Sequence, residues 1–92
     1  MRTERAEAIA LMALGWLIGH DELRGQFLGA TGAAPADLAA QAGETAFQAA
    51  VLRFLTIDDA WIIAFCDAHG LSYDQPLRAL HALPGAVAPD WT

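Results

Sequence analysis

Apolar residues recur along this chain three and four positions apart, and no stretch alternates with strand period over a useful length, so the pattern is helical throughout. The clearest punctuation falls on Asp58–Gly70, D-D-A-W-I-I-A-F-C-D-A-H-G. Asp58 is placed to cap a first turn, its carboxylate accepting from the orphan N–H groups, and Asp59 adds charge that the helix dipole favours there. Gly70 suits the left-handed residue that stops a helix. At about 100° per residue, Trp61, Phe65 and His69 form one stripe, flanked by Ile62 and Cys66. Ile63 points away, and Asp59 and Asp67 leave only a narrow polar seam. This segment is therefore read as the central hydrophobic helix, about 58–70.

Other elements follow from the same periodicity. A first helix is predicted from Thr3, as N-cap, to about Gly19, with Ile9, Met12, Ala13, Trp16 and Leu17 on one side and Leu11, Leu14 and Ile18 on another. Ala8, Gly15 and Gly19 line up on it as a strip without bulk, which admits close approach of another backbone, either inside the domain or at a dimer seam. A short helix capped near Asp21 points Leu23 and Phe27 inward; Ala30–Pro35 reads as a loop, and Pro35 opens a third short helix that stops at Gly43. Helix four starts near Thr45 with Phe47, Val51, Phe54 and Leu55 on its core face and Ala46 and Arg53 directed away. The short link Thr56-Ile57 brings helices four and five into contact. A last helix carries Pro76 in its first turn and Leu77, Leu80 and Leu83 inward. The fold class is all-α: a compact bundle of five or six short helices around the central one. Residues 1–83 form a single helical domain, and 84–92 are an irregular C-terminal tail.

The blocks R-A-E-A-I-A-L, F-L-G-A-T-G, A-D-L, F-Q-A-A-V-L-R-F-L and D-D-A-W-I-I-A-F-C, in that order, resemble a family of small all-helical alphaproteobacterial proteins known only as a domain of unknown function. The resemblance covers about Arg5 to Leu71 and implies helices, but no activity, ligand or functional residue. A basic residue often follows the D-L pair in that family; Ala39 stands there in this chain.

Composition narrows the function classes. The hydrophobic fraction of 55% is high, but much of it is alanine, which builds tight helices around a small core and leaves room for a partner or a second copy to supply burial. A net charge of −6 disfavours unaided contact with phosphate backbones and anionic lipid. One cysteine makes no intrachain disulfide, and a reduced, cytoplasmic setting is the simpler inference. Ala8–His20, the longest run without Asp, Glu, Lys or Arg, is too short to span a bilayer. It follows Arg2 and Arg5 as a signal peptide's apolar region would. However, Glu4 and Glu7 interrupt the basic end and no small-residue cleavage site follows.

Cys66 and His69, three apart on one helix, form the one pair that invites a chemical reading, since both could reach a single metal. Completing that shell needs Asp58, Asp59 or Asp67, and the late position beside Asp67 opposes a reactive thiolate. A buried structural thiol is the plainer account. No nucleophile elbow, phosphate-binding loop or dinucleotide fingerprint occurs, so no catalytic residue, cofactor or metal is assigned. The L-A-A-Q-A-G-E-T-A-F-Q-A-A-V-L-R-F-L stretch has helix-turn-helix spacing, yet its second helix opens with Glu44, Thr45 and Gln48, and Arg53 comes two turns on. Trp91, after Pro89 and Asp90, is either a lid folded onto the core or an anchor for a partner. The reading is a non-enzymatic protein–protein interaction or self-associating module, with Gly15, Gly19 and Trp91 as interaction candidates. A nucleic-acid-binding protein and a small-molecule pocket beside Cys66 and His69 are the alternatives.

Overall fold

The computed structural model describes residues 1–84, and local chain chemistry accounts for some of its helix ends, most clearly those of the fifth helix, Asp59–His69. The first helix, α1, runs Thr3–Ile18, with Arg2 rather than Thr3 in the capping position and no side-chain cap. Its buried stripe is Ala6, Ile9, Ala10, Ala13 and Leu17, while Leu11 on the opposite side is 47% exposed. The second helix, α2, is Asp21–Thr31 and buries only Phe27. It extends through Ala30 and Thr31, where a loop was expected, because the Thr31 hydroxyl donates to Phe27 O at 2.9 Å; Gly32, at φ 71°, then ends it.

Pro35–Asp37 forms a 3-10 turn that leads into α3, Leu38–Gln41. Gly43 follows without a left-handed backbone, positive φ among the described residues being confined to Gly32 and Gly70. Helix α4, Thr45–Leu55, buries seven of its eleven residues, including all four expected large ones, and leaves Ala46 and Arg53 outside. Helix α5, Asp59–His69, has the ends its sequence specifies. Asp58 Oδ1 accepts from Ala60 N at 2.8 Å, and Gly70, at φ 67°, turns the chain so that the Gly70 and Leu71 N–H groups both bond to Cys66 O. Helix α6, Gln75–Ala82, buries Pro76, Ala79 and Leu80, with Leu83 just beyond. Leu77, expected inward, is exposed: the buried positions 76, 79, 80 and 83 set the helix's rotation, and 77 lies off that stripe.

These elements make a compact all-helical bundle of six short helices, with a radius of gyration of 12.4 Å. Its weight rests on α1 and α4 rather than on the helix expected at the centre. Helix α1 packs most extensively on α6 and α4, and α4 packs on α6 as well. Helix α5 buries only Phe65 and Cys66, half-buries Trp61 and Ile62, and shows solvent a wide face of Asp59, Ala60, Ile63, Ala64, Asp67 and Ala68. The apolarity that marked it out is spread around the helix in alanines and Ile63. In α4 the large side chains are concentrated on the sides that meet neighbours. Helices α4 and α5 do touch, Phe54 stacking on Trp61 with ring centres 5.1 Å apart. The tail expected over 84–92 lies, beyond Pro84, outside the described residues, and so does Trp91.

Candidate functional site

Cys66 and His69 share a helix but not an environment. The thiol is fully buried, and Cys66 Sγ donates to Ser72 O at 3.5 Å across the turn that leaves α5. Burial first, and then the Asp67 and Asp74 carboxylates, push its pKa above the ordinary 9.0, which keeps it protonated and a poor nucleophile or ligand. The His69 ring lies outside, tilted on Phe65 with centres 4.8 Å apart. Among the described residues no three His, Cys, Asp or Glu side chains come together to hold a metal ion. Asp67, the nearest acid in sequence, instead accepts from the Tyr73 hydroxyl at 2.8 Å, which raises the phenol's pKa above 10.0.

The strip on α1 also differs from its simplest explanation. Ala8, Gly15 and Gly19 are all exposed. A Cβ added at Gly15 would meet nothing within 4 Å, and one at Gly19 would meet its own helix, at Gly15 O, 3.3 Å away. No helix of the bundle uses the strip for close approach. Gly15, inside α1, carries its helix cost without a close contact among the described residues to offset it.

The helix-turn-helix pattern is present in order but not in presentation. A base-reading helix needs a free polar face. In α4, Gln48 is 4% exposed, its Nε2 donating to Ala42 O at 2.8 Å, and the rest of the helix is largely core.

A concavity lies where the C-terminal turns of α2 and α4 meet. It is an open groove of about 520 Å³, lined by Ala30 and Thr31 of α2, Ala50, Arg53 and Phe54 of α4, and Thr56 and Ile57 of the corner that follows. Its polar groups are largely turned inward. Thr31 Oγ1 donates to Phe27 O, and Thr56 Oγ1 reaches Leu52 O at 2.9 Å and Arg53 O at 3.1 Å. Each hydroxyl is thereby bonded to a carbonyl of its own helix. Phe54 is held between Trp61, stacked at 5.1 Å, and Phe27, edge-on at 5.4 Å. Ile57 stands at the margin, 74% exposed, with Arg53 exposed beside this apolar wall. The sequence pattern marked Phe54 as core and Ile57 as linker. It carried no signal that Ala30, more than twenty residues away, completes a surface with them.

Comparison with known families now adds its part. Residues 3–86 match the family described as "Protein of unknown function (DUF3572)". The chain belongs to that family. The DUF3572 match extends the resemblance read from Arg5–Leu71 across α6, so every helix of the bundle falls within it. The chain matches no curated protein and no solved structure.

Proposed function

We propose that this DUF3572 chain is a small non-enzymatic module that works by contact with another polypeptide through the α2/α4 groove. The observation that carries the reading is the groove itself: an apolar wall whose threonine hydroxyls are internally bonded, a rigid Phe54 floor, and Ile57 left 74% exposed at its edge. A soluble chain has no intramolecular reason to leave a large side chain out beside such a wall, and concave apolar surfaces with few polar groups are where partners bind. The setting that goes with this reading is the cytoplasm of an alphaproteobacterium, and among the described residues no helix is long and apolar enough to cross a membrane. The buried, protonated Cys66 thiol supports a role without chemistry, and the largely buried α4 supports one without DNA reading.

A photo-crosslinking residue placed at Ile57 of the full chain in its native cell, with the same residue at exposed Ala39 as reference, tests this. The expected result is a discrete adduct specific to position 57, whose purified partner binds the chain and loses binding to Ile57→Asp. Identical products at both positions, or none at 57, would sink the reading.

A second reading, self-association through α1, is favoured by one observation: Ala8, Gly15 and Gly19 form an exposed strip without bulk, and no other helix among the described residues lies within 4 Å of a Cβ added at either glycine. Sedimentation across a wide concentration range decides it, a monomer throughout removing it.

A further inference from the structure

We infer that the corner between α3 and α4 is a binding site for one ordered internal water, which donates to the side-chain oxygens of Gln41 and Gln48 and accepts from an N–H of the first turn of α4. The site is separate from the α2/α4 groove, which lies at the other end of α4.

Gln48 carries the argument. Among the described residues it is the one buried polar side chain, 4% exposed. Side chains on a helix lean back toward its N-terminus. From the fourth position of α4 the Gln48 amide reaches Ala42, six residues upstream, where Nε2 donates to the carbonyl at 2.8 Å. That bond fixes which way the amide faces, because turned over it would set Oε1 against the Ala42 oxygen, acceptor against acceptor. Oε1 is left buried near the start of α4, with no donor among the described residues. Gln41, the residue before Ala42, is half-buried, and its Oε1 is likewise buried and without a donor. Buried polar atoms in folded proteins nearly all find a partner, from the chain or from ordered water. Two acceptors at one corner match the two hydrogens of a water molecule.

The same corner supplies a donor to the water oxygen. Thr45, Ala46 and Phe47 open α4, and the capping residue Glu44 makes no side-chain bond to them. The first bonded N–H of the helix is that of Gln48, to Glu44 O at 3.0 Å. Those before it have no carbonyl partner within the helix. This mixture selects the ligand. The start of α4 is the positive end of its dipole and disfavours a metal or ammonium ion. The two amide oxygens disfavour an anion. A neutral molecule that donates twice and accepts fits both, and water is the smallest. Entry is open at Gly43, between Ala42 and Glu44, where an added Cβ would meet nothing within 4 Å.

The bridge has a structural task. The Pro35–Asp37 turn and α3 bury no residue, and the partly buried Leu38 is what this segment packs against the core. A water shared by Gln41 of α3 and Gln48 of α4 fastens a segment that little apolar packing holds.

Two measurements on the full chain test the inference: a crystal structure fine enough to place ordered water, and NMR cross-relaxation between water and protein. The expected crystal result is a water oxygen about 2.6–3.2 Å from both Gln41 Oε1 and Gln48 Oε1. The expected spectrum shows a long-lived water at the Gln48 side-chain amide protons and at the N–H of Ala46 or Phe47. Gln41→Ala, at a half-buried position, removes one acceptor and should cut those cross-peaks several-fold, and Gln48→Met should abolish the water altogether. Gln48→Met also removes the bond to Ala42 O, so where that variant fails to fold, Gln41→Ala decides. A protein donor bonded to Gln48 Oε1, an ion in place of the water, or cross-peaks that are absent or unchanged by Gln41→Ala would each overturn the inference.

Discussion

Cys66 sits where its surroundings define it as a packing residue. It is wholly enclosed, its Sγ donates to Ser72 O, and three influences of the same sign hold the thiol protonated. Cys66→Ser places a more strongly polar group in that site with one weakly placed acceptor, and the expected loss is about 1–3 kcal/mol in urea unfolding with any binding activity retained in the folded fraction. The raised pKa also has a pH consequence. Because the folded thiol ionises above the unfolded one, its contribution is fully present below about pH 9 and is lost as pH rises through the folded value. Asp74 acts at the other end of the scale. The Ser72 hydroxyl, donating to it at 2.7 Å, is the main cause holding its carboxyl below the ordinary 3.8, so its contribution is present near neutrality and fades as pH falls through that lowered value. Urea midpoints across pH should therefore show an alkaline loss above pH 9 that is smaller in Cys66→Ala, which keeps only the part due to the raised Tyr73 phenol.

Helix ends and helix interiors use the same residue type in opposite ways. Gly32 and Gly70 adopt left-handed backbone at the ends of α2 and α5, where an added Cβ is strained whatever the space around it. Gly70→Ala is expected to cost about 1–2 kcal/mol. Gly15 and Gly25 lie inside α1 and α2 with nothing within 4 Å of an added Cβ. Each substitution by alanine is expected to raise stability by about 0.5–1 kcal/mol. Thermal unfolding of Gly70→Ala, Gly15→Ala and Gly25→Ala in parallel separates the two roles. A destabilised Gly15→Ala would place an unseen neighbour against α1. The other end of α5 rests on a side chain: Asp58→Ala removes the acceptor of the Ala60 N–H and should cost about 1 kcal/mol. These effects were legible from the sequence at Asp58 and Gly70, because capping depends on residues adjacent in the chain. The rotation of α6 was not, since three leucines at helical spacing do not reveal that Pro76 and Ala79 are the buried positions of a helix packed on α1 and α4 while Leu77 faces out.

At the scale of the molecule, the bundle is held by a small core in which Phe27 joins Phe47, at 5.8 Å, and Phe54, at 5.4 Å, across α2 and α4. Phe27 is the one buried residue of α2. Phe27→Ala is expected to cost about 3–5 kcal/mol, a large part of a small domain's stability, and to release α2 from α4. Ile57→Asp, at a position 74% exposed, is expected to leave the unfolding midpoint unchanged within about 0.5 kcal/mol while abolishing groove binding. Circular dichroism of the two variants compared with partner capture distinguishes a core residue from a surface one.

The chain alone determined that the protein is helical, where most helices begin and end, and that Phe47, Val51, Phe54, Leu55, Phe65 and Cys66 point inward, because backbone capping and apolar spacing act over three or four residues. It also favoured a buried structural thiol at Cys66 over a chemical pair with His69, from the acid beside the thiol. The tertiary structure decided which helix is central. Apolar content ranked α5 first, but burial depends on how many faces meet neighbours, and α1 and α4 meet more. It likewise decided that the α1 strip faces outward, and that Ala30, Phe54 and Ile57 form one groove. Both outcomes depend on segments distant in sequence, whose mutual placement is a property of the packed whole and leaves no local pattern to read.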